Sequence, residues 1–77
     1  MTTTSYLGAL DLAYRTIMRA RVQGIETSVR IYAIKSSKRD IWSGGREYWI
    51  DVLPPPETNL VHIFDINSRG TITEVPV

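Results

Sequence analysis

The chain contains no cysteine, and this absence excludes disulfide bonds, thiolate metal sites and cysteine nucleophiles together. Its 77 residues allow one domain, and a domain of this size buries only about 60% of the surface that its unfolded chain exposes. Because no covalent cross-link is available, the stability of the fold depends on packing or on a partner.

The sequence also has no long apolar run and no pattern typical of a signal peptide. It contains no window of about 18 apolar residues. Asp11 and Arg15 interrupt the apolar stretch nearest the N-terminus. Hydrophobic residues make up 43% of the chain and charged residues 22%, as in ordinary globular proteins. We therefore expect a folded, cytoplasmic protein that does not bind a membrane.

Charge is distributed unevenly along the chain, although the net charge is only +1. Residues 12–46 contain eight basic and two acidic side chains, whereas residues 47–77 contain five acidic side chains and one basic. This asymmetry predicts a basic surface and an acidic surface, and therefore charged partners.

A repeat of 3.6 residues predicts a helix over about 5–23. Thr4 or Ser5 is placed to cap its N-terminus, and Gly24 to adopt the left-handed conformation that ends a helix. The apolar sector expected to face the core consists of Tyr6, Leu10, Ala13, Tyr14, Ile17 and Ala20.

After Gly24 the period changes to two residues, which is typical of β-strands. The predicted strands are 26–35, 46–53, 60–66 and 71–75. Pro54–Pro56 lack N–H donors and should end the second strand, and Gly70 should form a tight turn before the last one. The predicted fold is a single α+β domain over residues 1–77. Its N-terminal helix packs on an antiparallel meander sheet of three to four strands.

The sequence contains no arrangement of residues typical of an enzyme. His62 has no second group placed for acid–base catalysis, and no spacing that would supply further metal ligands. Asp51 and Asp65 would be neighbours if their strands pair, but solvated strand carboxylates explain them as well. No phosphate-binding glycine loop and no partnered serine nucleophile is present. We expect a non-enzymatic protein with no catalytic residue, no cofactor and no metal.

The most informative feature is a sheet that is apolar on both faces. The residues assigned to the helix side are Val29, Ile31, Tyr48, Ile50, Val52, Leu60, Phe64 and Ile66. The opposite side, termed the outer sheet face, then contains Tyr32, Ile34, Trp49, Leu53, Val61 and Ile63. One helix cannot cover both faces, and contiguous exposed apolar patches mark interaction sites.

We expect the outer sheet face to bind a foreign protein or a second copy of the chain in a homodimer. Trp49 would be the anchor, because buried aromatic residues dominate interface energetics. The alternative is that residues 36–45 and Pro54–Pro56 fold over this face.

A basic cluster supports a different class of function, nucleic-acid binding. It consists of Arg15, Arg19, Lys35, Lys38, Arg39, Trp42 and Arg46. Cations combined with an aromatic residue in a loop are typical of single-stranded nucleic-acid sites. An isoelectric point near 8.1 and the lack of a nucleic-acid-binding motif argue against it. Nucleic-acid binding is therefore the alternative function, and otherwise these residues form a basic rim around the protein-binding face.

A helix with small residues, Ala9 to Ala20, is followed by Gly24, by the run 48–52 (YWIDV) and by the hairpin Phe64 to Ile72. This layout resembles the PepSY domain of peptidase propeptides and related regulatory proteins. The resemblance implies a non-catalytic binder, often an inhibitor. In size and lack of cysteine the chain is also similar to phage-encoded proteins that block host defence enzymes. We therefore expect a protein-binding module that inhibits or regulates a larger protein.

Overall fold

The computed structural model describes residues 2–3, 5–35, 46–51, 53 and 59–77. Its elements are β1 (Thr2–Thr3), α1 (Tyr6–Val22), β2 (Val29–Lys35), β3 (Arg46–Ile50), β4 (Leu60–Ile66) and β5 (Ile72–Val75). The helix packs on one face of an antiparallel sheet, which confirms the predicted α+β class. The short strand β1 was not predicted, because two adjacent threonines show no alternation.

Both ends of α1 follow from local hydrogen bonding. The Ser5 hydroxyl accepts a hydrogen bond from the Gly8 N–H at 2.9 Å, so Ser5 is the N-cap. At the other end Gly24 has a φ of 75°, and its N–H donates to the Arg21 carbonyl. The Ile25 N–H donates to the Ala20 carbonyl at 2.9 Å, which completes a Schellman motif. The predicted role of Gly24 is confirmed.

The helix faces the sheet through small residues. Ala9 and Ala13 have no exposed surface and Ile17 is 2% exposed, so the helix backbone lies close to the strands. Tyr14 was predicted on this buried face but is 37% exposed. At 3.6 residues per turn Tyr14 lies about 100° around the axis from Ala13, at the margin of the buried face. The Tyr14 ring instead packs at the flank, where its hydroxyl donates to the Gly70 carbonyl at 3.2 Å.

The strand order is β1-β3-β2-β4-β5, and every neighbouring pair is antiparallel. This order differs from a meander, because β2 lies between β3 and β4. Both neighbours run antiparallel to β2 and hence parallel to each other, so they cannot be joined by a tight hairpin. Asp51 has a φ of 54°, which ends β3 at Ile50 rather than at the predicted residue 53. Pro54–Pro56 lie outside the described residues.

A β-bulge in β4 changes which side chains face the helix. Ala33 pairs with His62, whereas Ile34 pairs with Leu60, so Val61 is an extra residue in this ladder. The prediction that Leu60 faces the helix is therefore wrong, because its partner Ile34 lies on the outer sheet face. The core between helix and sheet consists of Ala9, Ala13, Ile17, Val29, Ile31, Ala33, Tyr48, Ile50 and Ile66.

The close approach of the helix makes Ala13 sensitive to any increase in size. We predict that Ala13→Leu lowers the free energy of unfolding by about 1–3 kcal/mol, because the added carbon atoms have no space. Urea unfolding followed by circular dichroism measures this change. Thr16→Leu, at an exposed position of α1, is the control and should change stability much less. Equal stability of the two variants would contradict the tight packing.

Candidate functional site

The residues of the outer sheet face are brought together, but the face is not open. In the strand register Tyr32 lies between Trp49 on β3 and Ile63 on β4. The Tyr32 side chain is only 1% exposed, and both neighbours are partly buried. Tyr32 therefore offers no accessible contact surface in the chain as it stands.

The other members of the outer sheet face differ in exposure. Ile34 and Val61 are partly buried, whereas Leu53 is 85% exposed. Among the described residues, the Trp49 Nε1–H is buried without a hydrogen-bond acceptor. An unpaired buried donor costs about 1–3 kcal/mol, so the packing of the Trp49 ring has to outweigh this cost. Its role as a partner anchor stays a prediction.

A bidentate ion pair lies at the edge of the outer sheet face. Arg30 donates from Nε to Asp65 Oδ1 at 2.7 Å and from Nη2 to Oδ2 at 2.9 Å. The hydrogen bond with Arg30 holds the pKa of the Asp65 carboxyl below its usual range, and the same bond raises the pKa of Arg30. Sequence reasoning did not identify this pair, because it depends on the register of β2 with β4.

The ion pair lines a cavity of about 290 Å³ together with Ser28, Tyr32, Asp51 and Leu53. Pairing of β3 with β4 would make Asp51 and Asp65 neighbours, but β2 lies between these two strands. Asp51 and Asp65 line the same cavity as Arg30, and Arg30 donates hydrogen bonds to the Asp65 carboxylate. This arrangement is an ion pair rather than a pair of carboxylates sharing a proton.

A second cavity, of about 200 Å³, lies on the helix side of the sheet and is lined by Tyr6, Arg46, Tyr48, His62 and Phe64. The Tyr6 ring centroid lies 5.8 Å from that of Tyr48 and 5.3 Å from that of Phe64. Burial raises the pKa of the Tyr6 hydroxyl, and the nearby Tyr14, Tyr48 and Glu74 raise it further. His62 Nδ1 lies 2.7 Å from Glu74 Oε1, a distance typical of a hydrogen bond.

The structure brings together only part of the basic cluster. Lys35 and Arg46 are directly opposite each other in the register of β2 with β3. Arg15 is paired with Asp11 along the helix at 3.2 Å, and Arg19 is exposed near the helix C-terminus. The remaining predicted members, Lys38, Arg39 and Trp42, lie outside the described residues.

A further apolar surface, which sequence reasoning missed, runs along α1. Leu7, Tyr14, Met18 and Val22 are 77%, 37%, 53% and 86% exposed. Their spacing of seven, four and four residues places them in one row along the helix. At 3.6 residues per turn, Met18 lies about 140° around the axis from the buried Ala13. These four residues are termed the outer helix stripe. The 3.6-residue repeat that predicts the helix also indicates this stripe, as a second apolar sector of the helix surface.

The flanks of the outer helix stripe are basic. Arg15 and Arg19 follow one side of the row and Arg21 the other, and all three are exposed. Arg21 Nη1 lies 3.8 Å from Met18 Sδ. Within the described part of the chain, Arg15 has an ion-pair partner in Asp11, whereas Arg19 and Arg21 have none. The stripe and its flanks therefore combine exposed apolar surface with a net positive charge.

Two general features of the described residues bear on function. Among them, no group of three or more histidine or carboxylate side chains is placed to hold a metal ion. None of the helices in the described ranges has the length and apolar character needed to cross a membrane.

The Arg30–Asp65 pair should make stability depend on pH. Because the pKa of Asp65 is lower in the folded chain than the usual aspartate value of about 3.9, the pair stabilises the fold above that pH. This contribution is lost as the pH falls through the folded pKa. The side chains are 43% and 37% exposed, so solvent screening keeps the effect small.

We predict that Asp65→Asn lowers the stability at neutral pH and loses less stability than the wild-type chain between about pH 5 and pH 2. Urea midpoints measured across this range test the prediction. Arg30→Gln is the second variant and should flatten the pH profile in the same way. If both variants keep the wild-type profile, the pair does not contribute to acid stability.

Comparisons with protein-family models, curated proteins and solved structures find no match for this chain.

Proposed function

We propose that this chain is a non-enzymatic protein-binding module that regulates or inhibits a larger protein. The observation that carries this proposal is the outer helix stripe. Single exposed apolar residues are normal on protein surfaces, but several of them aligned on one side of a helix mark an interaction site. Helices with apolar residues at such spacings dock into apolar grooves of partner proteins.

The distribution of exposed apolar side chains favours the helix over the sheet as the contact surface. Leu7 and Val22, at the two ends of the outer helix stripe, are 77% and 86% exposed, and Ile25, just after the helix, is 52% exposed. On the outer sheet face Leu53 is comparably exposed, but Tyr32 is closed off. The proposal keeps the protein-binding function predicted from the sequence and moves its main contact to α1.

Cytoplasmic regulation of an enzyme of the kind blocked by phage inhibitors is one form of this proposal, and homodimerisation through the outer sheet face is the alternative form. They differ in the partner and in the surface used. The contribution of Leu53 is the feature that separates the two surfaces, because it is the exposed apolar member of the outer sheet face.

We predict that the double variant Met18→Gln, Val22→Gln loses partner capture by about tenfold or more, since each truncated contact removes buried apolar area. Glutamine keeps helix propensity and adds no charge. The tagged chain is incubated with lysate of its native host, and co-purified proteins are quantified by mass spectrometry. Leu53→Gln is the matched control and should retain the wild-type set of proteins.

Each contrary result identifies a different error. Loss of partners with Leu53→Gln but not with the double variant would place the contact on the outer sheet face. No protein enriched above an untagged control would remove the proposal of a protein-binding module. Circular dichroism of each variant establishes that the helix is retained.

A second candidate function, binding of single-stranded nucleic acid, is favoured by one observation. Lys35 and Arg46 are opposite each other on β2 and β3, and Arg46 borders the cavity lined by Tyr6, Tyr48 and Phe64. Adjacent cations beside aromatic rings are the combination that binds phosphates and stacks bases.

If this second function is correct, Lys35→Glu and Arg46→Glu together should abolish oligonucleotide binding, and wild-type binding should fall steeply with salt. Fluorescence anisotropy with a labelled single-stranded oligonucleotide at two salt concentrations measures both effects. Arg21→Glu with Arg69→Glu, which changes the net charge by the same amount at exposed positions outside the basic cluster, is the control and should reduce binding far less. Absence of binding by the wild-type chain at low salt would eliminate this function.

A further inference from the structure

We infer that the occupant of the outer helix stripe is an amphipathic helix of a partner protein whose apolar face is flanked by acidic residues. This inference rests on the proposed function and names the chemistry of its partner. It follows from the shape of the stripe, from the charge on its flanks, and from the poor fit of a second copy of the chain or of a nucleic acid to this surface.

The shape of the stripe is that of a helix-packing surface. From Leu7 to Val22 it extends over about 22 Å, four turns of a helix rising 1.5 Å per residue. Side chains three and four positions apart form ridges along a helix, and a second helix accepts such ridges in its own grooves. The ridge of Tyr14, Met18 and Val22 is apolar at every fourth residue, and Leu7 lies beyond Asp11 at its N-terminal end, so a second helix can lie along the stripe.

The flanking charges specify an acidic partner. Arg15, Arg19 and Arg21 are exposed on the two flanks, and the single acid in the row is Asp11. Asp11 is already paired with Arg15, whereas Arg19 and Arg21 have no carboxylate within ion-pair distance among the described residues. Guanidinium groups match carboxylates in a planar, bidentate geometry. Acidic side chains beside the partner's apolar face would therefore meet Arg19 and Arg21, which form no ion pair within the described ranges.

A second copy of the chain fits this surface poorly. Each copy would bring three arginines and one aspartate to the contact, so two cationic surfaces would face each other. In a parallel pair Arg15 faces Arg15 and Asp11 faces Asp11. In an antiparallel pair Asp11 reaches partner arginines, but most of the arginines stay uncompensated. Like charges placed opposite each other suppress association.

A nucleic acid also fits the stripe poorly. Its phosphates would pair with the arginines, but they leave Leu7, Met18 and Val22 against a polar backbone. These residues are 77%, 53% and 86% exposed, and an interaction that leaves them in water gains nothing from their burial. The apolar row and its flanks together fit a protein helix.

The experiment uses two designed peptides of about 18 residues, long enough to cover the stripe. Both have leucines at helical spacing on one face, and they differ only in flanking residues, glutamate in one and lysine in the other. Binding of each labelled peptide to the full chain is measured by fluorescence anisotropy at low and at physiological salt. We expect the glutamate peptide to bind about tenfold or more tightly than the lysine peptide, with a difference that shrinks as salt increases.

Variants connect this preference to the proposed surface. Arg19→Glu with Arg21→Glu should reverse the preference between the peptides, whereas Arg69→Glu, an exposed arginine in the β4–β5 turn, should not. Met18→Gln with Val22→Gln should weaken binding of both peptides, because it removes apolar contact without changing charge. Circular dichroism establishes that each variant keeps its helix.

The outcomes separate failure of this inference from failure of the proposed function. Equal binding of both peptides, or tighter binding of the lysine peptide, overturns the acidic partner and leaves the stripe as a protein-binding surface. If neither peptide binds and sedimentation shows a dimer that Met18→Gln with Val22→Gln dissociates, the occupant is a second copy and the inference is wrong. If neither peptide binds and that double variant also keeps every lysate partner, both the inference and the stripe itself are wrong.

Discussion

The contact of Ala9 and Ala13 with the sheet determines how the rest of this small domain is arranged. Two methyl groups at the interface allow the helix backbone to approach the strands closely. Ile17 fills the same interface at 2% exposure, and Tyr6, Leu10 and Leu12 pack against it. Met18 and Val22 lie on the opposite side of α1 and are exposed. The helix thus has a buried side that closes the core and an exposed apolar side on which the proposed function rests.

Strand β2 is the second organising element, because it has a neighbour on each side and apolar residues on each face. Ile31 has no exposed surface beneath the helix, and Tyr32 is equally closed on the opposite side of the sheet. A strand buried on both faces contributes more apolar area per residue than one with a solvated face. In a chain without disulfides, this double burial compensates for the small size of the core.

Much of this fold can be predicted from the sequence, because helices and strands differ in the period at which apolar residues recur. The cap at Ser5, the left-handed Gly24 and the alternation of four strands are all local signals. The order of the strands is not a local property, because it depends on how the chain passes from β3 to β4. The positive φ of Asp51, directly after β3, is also not indicated by any hydrophobic pattern. The bulge at Val61 likewise reverses the side on which Leu60 lies. Register and crossing were therefore beyond prediction from a single chain.

The candidate site likewise has features that the sequence predicts and features that depend on the packing of the chain. The apolar residues of the outer sheet face were recognised from alternation, but alternation cannot tell whether a face is open, and Tyr32 is closed. The outer helix stripe was present in the 3.6-residue pattern as a second sector. Assigning Tyr14 to the core separates Leu7 from Met18 by eleven residues, which hides the row. Ion pairing between Arg30 and Asp65 requires the register of two strands and has no local signal.

The crossing of the strands also governs the order in which the chain can assemble. β4 and β5 form a tight hairpin through Gly70, a local contact of the kind that closes within microseconds. Pairing β2 with β4, and above all β1 with β3, joins distant parts of the chain and costs loop-closure entropy. β1 gains only the pairs Thr2 with Trp49 and Thr3 with Tyr48 in return. β1 therefore has the fewest pairs among the described strands, and its detachment would uncover the edge of β3 beside Trp49 at little energetic cost.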